Sequence, residues 1–133
     1  TFEEIKKIRK YINPKKIIIL HCTSSYPCET KDLNLPKIKL LQKYFKIVGF
    51  SDHSLGIDAS KISLQYGVKF IEKHYTINKK LPGRDNKFAI LPNDLLALKK
   101  FLIFYKHANN FRGKNFLRCE IEARTNYRGR WGI

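Results

Sequence analysis

Three short apolar runs, Ile17-Ile18-Ile19-Leu20, Ile47-Val48-Gly49-Phe50 and Val68-Lys69-Phe70-Ile71, each lead into a polar cluster and then into a segment of helical apolar spacing. Runs of four residues, rich in β-branched types and without polar alternation, are what strands buried on both faces look like. Strands alternating with amphipathic helices through short connections argue for βαβ units and a parallel sheet. The polar clusters all follow the strands: His21 to Pro27, Ser51 to Gly56, and Glu72 to Thr76. In parallel α/β folds, open or closed, sites are built at that carboxyl end of the sheet.

The helical segments can be placed from their periodicity and their ends. Thr1-Phe2-Glu3-Glu4 has capping-box spacing, and Phe2, Ile5, Ile8 and Ile12 predict a helix to about Ile12, stopped by Asn13-Pro14. Pro36 suits the first turn of a second helix, with apolar positions at Ile38, Leu40, Leu41, Tyr44 and Phe45. A third starts near Asp58, carries Ala59, Ile62, Leu64 and Tyr66, and closes at Gly67. The last is expected from Asn93-Asp94 to about Ala108, with Leu95, Leu98, Leu102 and Tyr105 on its buried face. Residues 109–133 are basic and glycine-punctuated and read as a tail or linker. Closing a barrel takes eight strands and about 250 residues, so three βα units in 133 residues amount to about half of one.

Charge points towards anionic partners: 27 Lys+Arg against 11 Asp+Glu give a net charge of +16. Nucleic acid, anionic lipid and phosphorylated metabolites all satisfy that requirement. No apolar run approaches the roughly 18–20 residues of a membrane span, and the N-terminus lacks a secretory leader, so the expectation is a soluble cytoplasmic protein with no membrane partner. Three scattered cysteines, Cys22, Cys28 and Cys119, make no disulfide framework and suit a reducing compartment. The chain opens on Thr1 and contains no Met, which reads as a piece cut from something longer.

Chemistry must come from the strand ends. His53 and His74 are too far apart in sequence for a local metal motif, yet on adjacent strands of a barrel both imidazoles can converge on one cation, with water or substrate completing its shell. The alternative is a pair of satisfied core or surface histidines. Asp52 and Glu72 are placed to act as orienting carboxylates. Thr23, Ser24, Ser25 and Ser51 are hydroxyl donors for phosphate oxygens or, alternatively, loop caps. His21, Cys22 and Cys28 lack the second cysteine pair of a structural zinc site, and Cys22 is expected to pack in the barrel wall. There is no glycine-rich phosphate loop and no nucleophile elbow.

Four motifs, in order and with their separations, resemble the sialic acid synthase family: His21-Cys22-Thr23-Ser24-Ser25-Tyr26-Pro27, Ser51-Asp52-His53-Ser54-Leu55-Gly56, Glu72-Lys73-His74-Tyr75-Thr76, and Pro82-Gly83-x-Asp85. The resemblance covers roughly residues 1–108 and implies an α/β fold, a (β/α)8 TIM barrel of which these strands are the sixth to eighth. It implies condensation of phosphoenolpyruvate with an N-acetylated aldose, such as N-acetylmannosamine, to a nine-carbon 2-keto sugar acid with release of phosphate. His53 and His74 match the pair holding a divalent metal, usually manganese, with magnesium or cobalt as alternatives. Ser51 and Ser24 match phosphate-side positions, Tyr26 lines the sugar site, Asp85 matches a carboxylate accepting sugar hydroxyls, and Glu72 sits beside the metal ligand. The family's full-length members are homodimers.

The sequence also departs from that pattern. Many members have Pro-Gly-Pro-Asp-His where this chain has Pro82-Gly83-Arg84-Asp85-Asn86, and Lys87-Phe88-Ala89 is bulkier than usual. Both changes lie on the sugar side and leave the aldose open. The barrel half carrying the phosphate-clamping lysines is not in this sequence, so the chain alone is expected to be inert or nearly so, and prone to aggregate through unpaired strand edges. The C-terminal antifreeze-like domain is absent as well, and Arg124, Tyr127, Arg128 and Arg130 resemble the linker before it. The competing reading is a small basic nucleic-acid-binding domain acting through its lysines and the Phe111-to-Trp131 segment. Against it, Phe116, Tyr127 and Trp131 form no recognised stacking platform, and the strand-end histidines have no task there.

Overall fold

The computed structural model describes residues 1–8, 10–13 and 16–130. Strands β1 (Ile18–Cys22), β2 (Ile47–Asp52) and β3 (Ile71–Lys73) form a parallel sheet in that spatial order. Ile18 pairs with Ile47 and the ladder runs to Cys22 against Ser51; on the other side Phe50 pairs with Ile71, Ser51 with Glu72 and Asp52 with Lys73. The strands thus extend further into their polar clusters than the apolar runs predict, because backbone pairing does not depend on side-chain polarity and, in β2, Ser51 and Asp52 stay buried. β3 shows the largest shift. Its regular ladder starts only at Ile71, while the Lys69 N–H donates to the Val48 carbonyl and the Phe50 N–H to the Phe70 carbonyl, holding the expected run against β2 ahead of it.

β2 is the central strand and is buried from Val48 to Asp52. Gly49 is there because the backbones close in: a Cβ added to it would lie 2.7 Å from the Phe70 carbonyl oxygen and inside the Leu20 side chain. Helix α1 (Phe2–Ile8) is capped as expected, with the Thr1 hydroxyl donating to Glu4 at 2.7 Å, but it ends before Ile12, and residues 10–12 form a turn. Pro14, assigned as its stop, lies outside the described residues. Helix α2 (Lys37–Gln42) buries Ile38 and Leu41, and Phe45 follows into the core. Helix α3 (Asp58–Ser63) buries a small face of Ala59, Ser60 and Ser63 and passes through a 3-10 turn, Leu64–Tyr66, to Gly67 at φ 77°. That left-handed angle is the helix-ending conformation glycine favours.

Helix α4 (Pro92–Ala108) corrects the expected burial. Only Leu98 is buried, whereas Leu95 is 47% and Leu102 36% exposed. Leu95 and Leu102 flank Leu98 on an open groove that Leu64, Val68 and Ile71 also line, so they face the sheet without being covered. By its internal contacts the chain divides into two compact units, Thr1–Ile103 and Phe104–Ile133. In the second, the stretch read as tail holds a 3-10 turn, Arg118–Glu120, and helix α5 (Ile121–Tyr127), with the Arg124 guanidinium 4.0 Å from the Phe116 ring centroid. Trp131, invoked in the nucleic-acid reading, lies outside the described residues. Among the described residues no helix is long and apolar enough to cross a membrane.

Candidate functional site

Side chains alternate along a strand, so paired parallel strands present side-by-side residues on one face. Ser51 and Glu72 are such a pair, and the Ser51 hydroxyl donates to Glu72 Oε1 at 2.7 Å. His53 and His74 are two residues further along each strand and face the same way, with ring centroids 5.3 Å apart. The sheet therefore brings together Ser51, Glu72, His53 and His74. Asp52 falls on the opposite face. There it is almost fully buried, with one carboxylate oxygen accepting from the Ser54 N–H and hydroxyl at 2.9 and 2.6 Å. The other oxygen accepts from the Ser60 hydroxyl and from Lys73 Nζ at 3.1 Å. Asp52 accordingly braces the loop behind the histidines and is not beside them as an orienting carboxylate.

Hydrogen-bond accounting fixes the tautomer of His53. Its Nδ1 lies 3.1 Å from the Thr23 carbonyl, an acceptor only, so Nδ1 carries a proton, and in the neutral imidazole Nε2 keeps its lone pair. Ser51 Oγ is 3.4 Å from that Nε2, but its single proton is committed to Glu72. A histidine whose far nitrogen is held by a backbone carbonyl has the arrangement common to metal-ligating imidazoles. His74 Nδ1 lies 3.8 Å from Asp85 Oδ2, within ion-pair range when the imidazole is protonated and beyond a direct hydrogen bond.

Aromatic rings wall one side. Tyr26 packs on His53 at 4.2 Å between centroids, and Phe88 lies 5.7 Å from Tyr26 and 5.0 Å from His74. Tyr26, His74, Arg84, Asp85 and Phe88 line an open cleft. Phe88, in the sequence only a bulky departure, is buried, and the chain around it returns to the sheet where the Ile90 N–H donates to the His74 carbonyl at 2.8 Å. Ser24 is exposed and its hydroxyl stands 3.9 Å from Cys22 Sγ.

Cys22 corrects an expectation: it is exposed, with Sγ 3.8 Å from His53 Nδ1, because it is the last residue of edge strand β1 and nothing covers it among the described residues. The zinc reading of His21, Cys22 and Cys28 finds no support in the geometry. His21 is buried against Phe50, with Nε2 2.7 Å from the Leu33 carbonyl, and burial lowers its pKa from the ordinary 6.5. Burial likewise pushes the Cys28 thiol up, keeping it protonated. Among the described residues no three His, Cys, Asp or Glu side chains are grouped so that they could hold a metal ion by themselves.

The residues that sequence reasoning passed over are Lys73, Ser60 and the Thr23 carbonyl. The available signal for Lys73 was its place between Glu72 and His74, which by alternation turns it to the other face.

Residues 1–111 match the family model described as the NeuB family. Pseudaminic acid synthase of Campylobacter jejuni is 38% identical over 95% of this chain and 37% of its own length. Human N-acetylneuraminate-9-phosphate synthase is 32% identical over 91% of this chain and 34% of its own length. A crystal structure of N-acetylneuraminic acid (sialic acid) synthetase from Leptospira borgpetersenii, in complex with citrate, matches with a TM-score of 0.79 at 33% identity, covering 96% of this chain and 47% of that one. The chain spans roughly a quarter to a third of the length of the curated relatives it matches. On the family model and these identities, the chain belongs to the NeuB family.

Proposed function

We propose that this chain is the part of a sialic acid-type synthase barrel, its last three βα units, that carries a two-histidine metal site. The reaction is condensation of phosphoenolpyruvate and one water with an N-acetylated aldose to a nine-carbon 2-keto sugar acid and phosphate. The observation that carries the reading is the convergence of His53 and His74 at 5.3 Å on the carboxyl ends of neighbouring parallel strands, in a chain of this family.

The donor set fits a first-row dication. Two imidazole nitrogens, one with its tautomer already set by the Thr23 carbonyl, suit such an ion better than magnesium, and the oxygen positions left open suit manganese. When bound there, the metal would supply Lewis-acid polarisation of the aldose's aldehyde oxygen. The protein's own groups do the rest. Tyr26 and Phe88 present apolar faces to a sugar ring and exclude water from one side. Asp85, exposed on the same cleft, accepts hydrogen bonds from sugar hydroxyls. Ser51 donates to an anionic oxygen once it turns away from Glu72, and that movement frees Glu72 to take up or release a proton nearby. Ser24 is the second hydroxyl for phosphate oxygens. The phosphate-clamping groups come from the part of the barrel that this chain does not span.

The test is an assay of the native protein captured from its cell with an antibody raised against this chain. Phosphate release from phosphoenolpyruvate that depends on both an N-acetylated aldose and manganese is expected. Capture of active-site-intact protein that binds manganese yet releases no phosphate with any N-acetylated aldose would overturn the reading.

A further inference from the structure

We propose that the buried ion pair between Lys73 and Asp52 is the positioning device that holds the two strand ends, and hence His53 and His74, at their working separation. The inference rests on the two-histidine reading above and deepens it.

The β2–β3 ladder ends at Asp52 against Lys73, one residue short of both histidines. Beyond that point each strand end departs into its own loop. The His53 carbonyl accepts from the Cys28 N–H, and the His74 carbonyl accepts from the Ile90 N–H. Those bonds tie each histidine to a different segment and not to the other. Lys73 crosses the gap. Its ammonium lies 3.1 Å from Asp52 Oδ2 and donates to the Ser54 carbonyl at 2.7 Å, gripping the residues on either side of His53 from the residue before His74. Both side chains are withdrawn from solvent, at 5% and 0% exposure. Ser54 and Ser60 satisfy the rest of the carboxylate, which anchors the pair to α3. A buried, fully hydrogen-bonded ion pair adds little net stability compared with an apolar pair, and in some proteins such pairs serve to impose a single arrangement. Here the geometry it fixes is the spacing of the two imidazoles on the opposite face.

The decisive variant is the double substitution Asp52→Asn/Lys73→Met in the full chain. It removes one positive and one negative charge together, so the field at the histidines changes little and a loss of metal affinity reports geometry. Two readouts are taken with a thermal melt as a control for folding: the dissociation constant for manganese alone, by electron paramagnetic resonance titration, and the ring-to-ring nuclear Overhauser cross-peak between His53 and His74 without metal. The expected result is a folded variant whose manganese affinity falls about tenfold or more and whose cross-peak is lost, with Lys73→Arg keeping both near the parent. Should the double variant unfold, Lys73→Gln, which retains an N–H donor for the Ser54 carbonyl, carries the same readouts; its lost positive charge would by itself strengthen cation binding, so weaker binding again reports position. A retained cross-peak in a folded variant, or no cross-peak in the parent, overturns the inference. A cross-peak present in the parent and lost in the variant, in a chain that binds no manganese, upholds the positioning role and overturns the metal reading instead.

Discussion

Replacing Gly49 by Ala tests the close packing of β2 most directly. The added Cβ would sit 2.7 Å from the Phe70 carbonyl oxygen and 3.1 Å from Phe70 Cβ, and would also overlap the Leu20 side chain. Leu20 can rotate, being on an edge strand and only half-buried. The Phe70 carbonyl cannot move freely, because it accepts the Phe50 N–H at 2.9 Å and sits where β3 joins the sheet. Restoring an ordinary contact means shifting β3 by on the order of half an ångström, which costs the usual overpacking penalty of about 1–3 kcal/mol and weakens a buried hydrogen bond worth about 1 kcal/mol. The sum is about 2–4 kcal/mol, or roughly 7–14 °C in melting temperature for a chain of this size. Circular dichroism melts and urea titrations of parent and variant measure it. In a double-mutant cycle with Leu20→Ala, the coupling should stay below about 0.5 kcal/mol, because the rigid partner is Phe70. A Gly49→Ala melt within about 2 °C of the parent, or full rescue by Leu20→Ala, would refute the reasoning.

Other outcomes follow from the same geometry. His53→Ala and His74→Ala should each weaken manganese binding at least about tenfold, measured by titration; unchanged binding in either removes that histidine from the site. Asp52→Ala should cost about 3–5 kcal/mol in urea unfolding, since it leaves the Lys73 ammonium buried without its partner; a loss under 1 kcal/mol would mean the pair is hydrated. Because folded His21 resists protonation while the unfolded chain takes up a proton near 6.5, stability should fall as pH drops from about 6.5 towards the depressed folded value, by at most about 1.4 kcal/mol per unit. His21→Gln should flatten that slope in urea midpoints taken between pH 7.5 and 5.5, and an equal slope in both proteins would place the titrating group elsewhere. In an assay of the native protein for the proposed condensation, Asp85→Asn should raise KM for the aldose more than KM for phosphoenolpyruvate; equal changes would take Asp85 off the sugar side.

Alternation made half of this site legible in the sequence. Ser51 and His53 are two apart, as are Glu72 and His74, and once the runs before them are strands each pair must share a face. The same rule excludes Asp52 from the histidine face, but only after the register Ser51 to Glu72 is known, and register is set by pairing that no single strand encodes. The positions of Ile38, Leu41 and Phe45 were readable because α2 packs along a full strand, whereas Leu95 and Leu102 on α4 misled because helical spacing shows which residues could be buried and not whether they are covered. Ser60 and Ser63 fall outside the apolar spacing of α3 and are nevertheless buried, the Ser60 hydroxyl donating to Asp52 and the Ser63 hydroxyl to the Ser60 carbonyl. Cys22 reads from the sequence as a barrel-wall residue, and among the described residues it is the exposed end of β1, an edge of the sheet.

The parallel sheet also dictates an order of folding. Ile18 meets Ile47, and Phe50 meets Ile71, so every rung closes a loop of about 20 to 30 residues before it gains a contact. Contacts within the long α4 are local, whereas the rungs are contacts of high sequence separation, the class that slows folding. β2 must wait for partners from both directions, and it carries the Ser51–His53 cluster. The histidine pair is therefore expected among the last features assembled, and a substitution that slows the docking of β3 would deplete molecules in which the two imidazoles have met, even where the final fold is as stable as before.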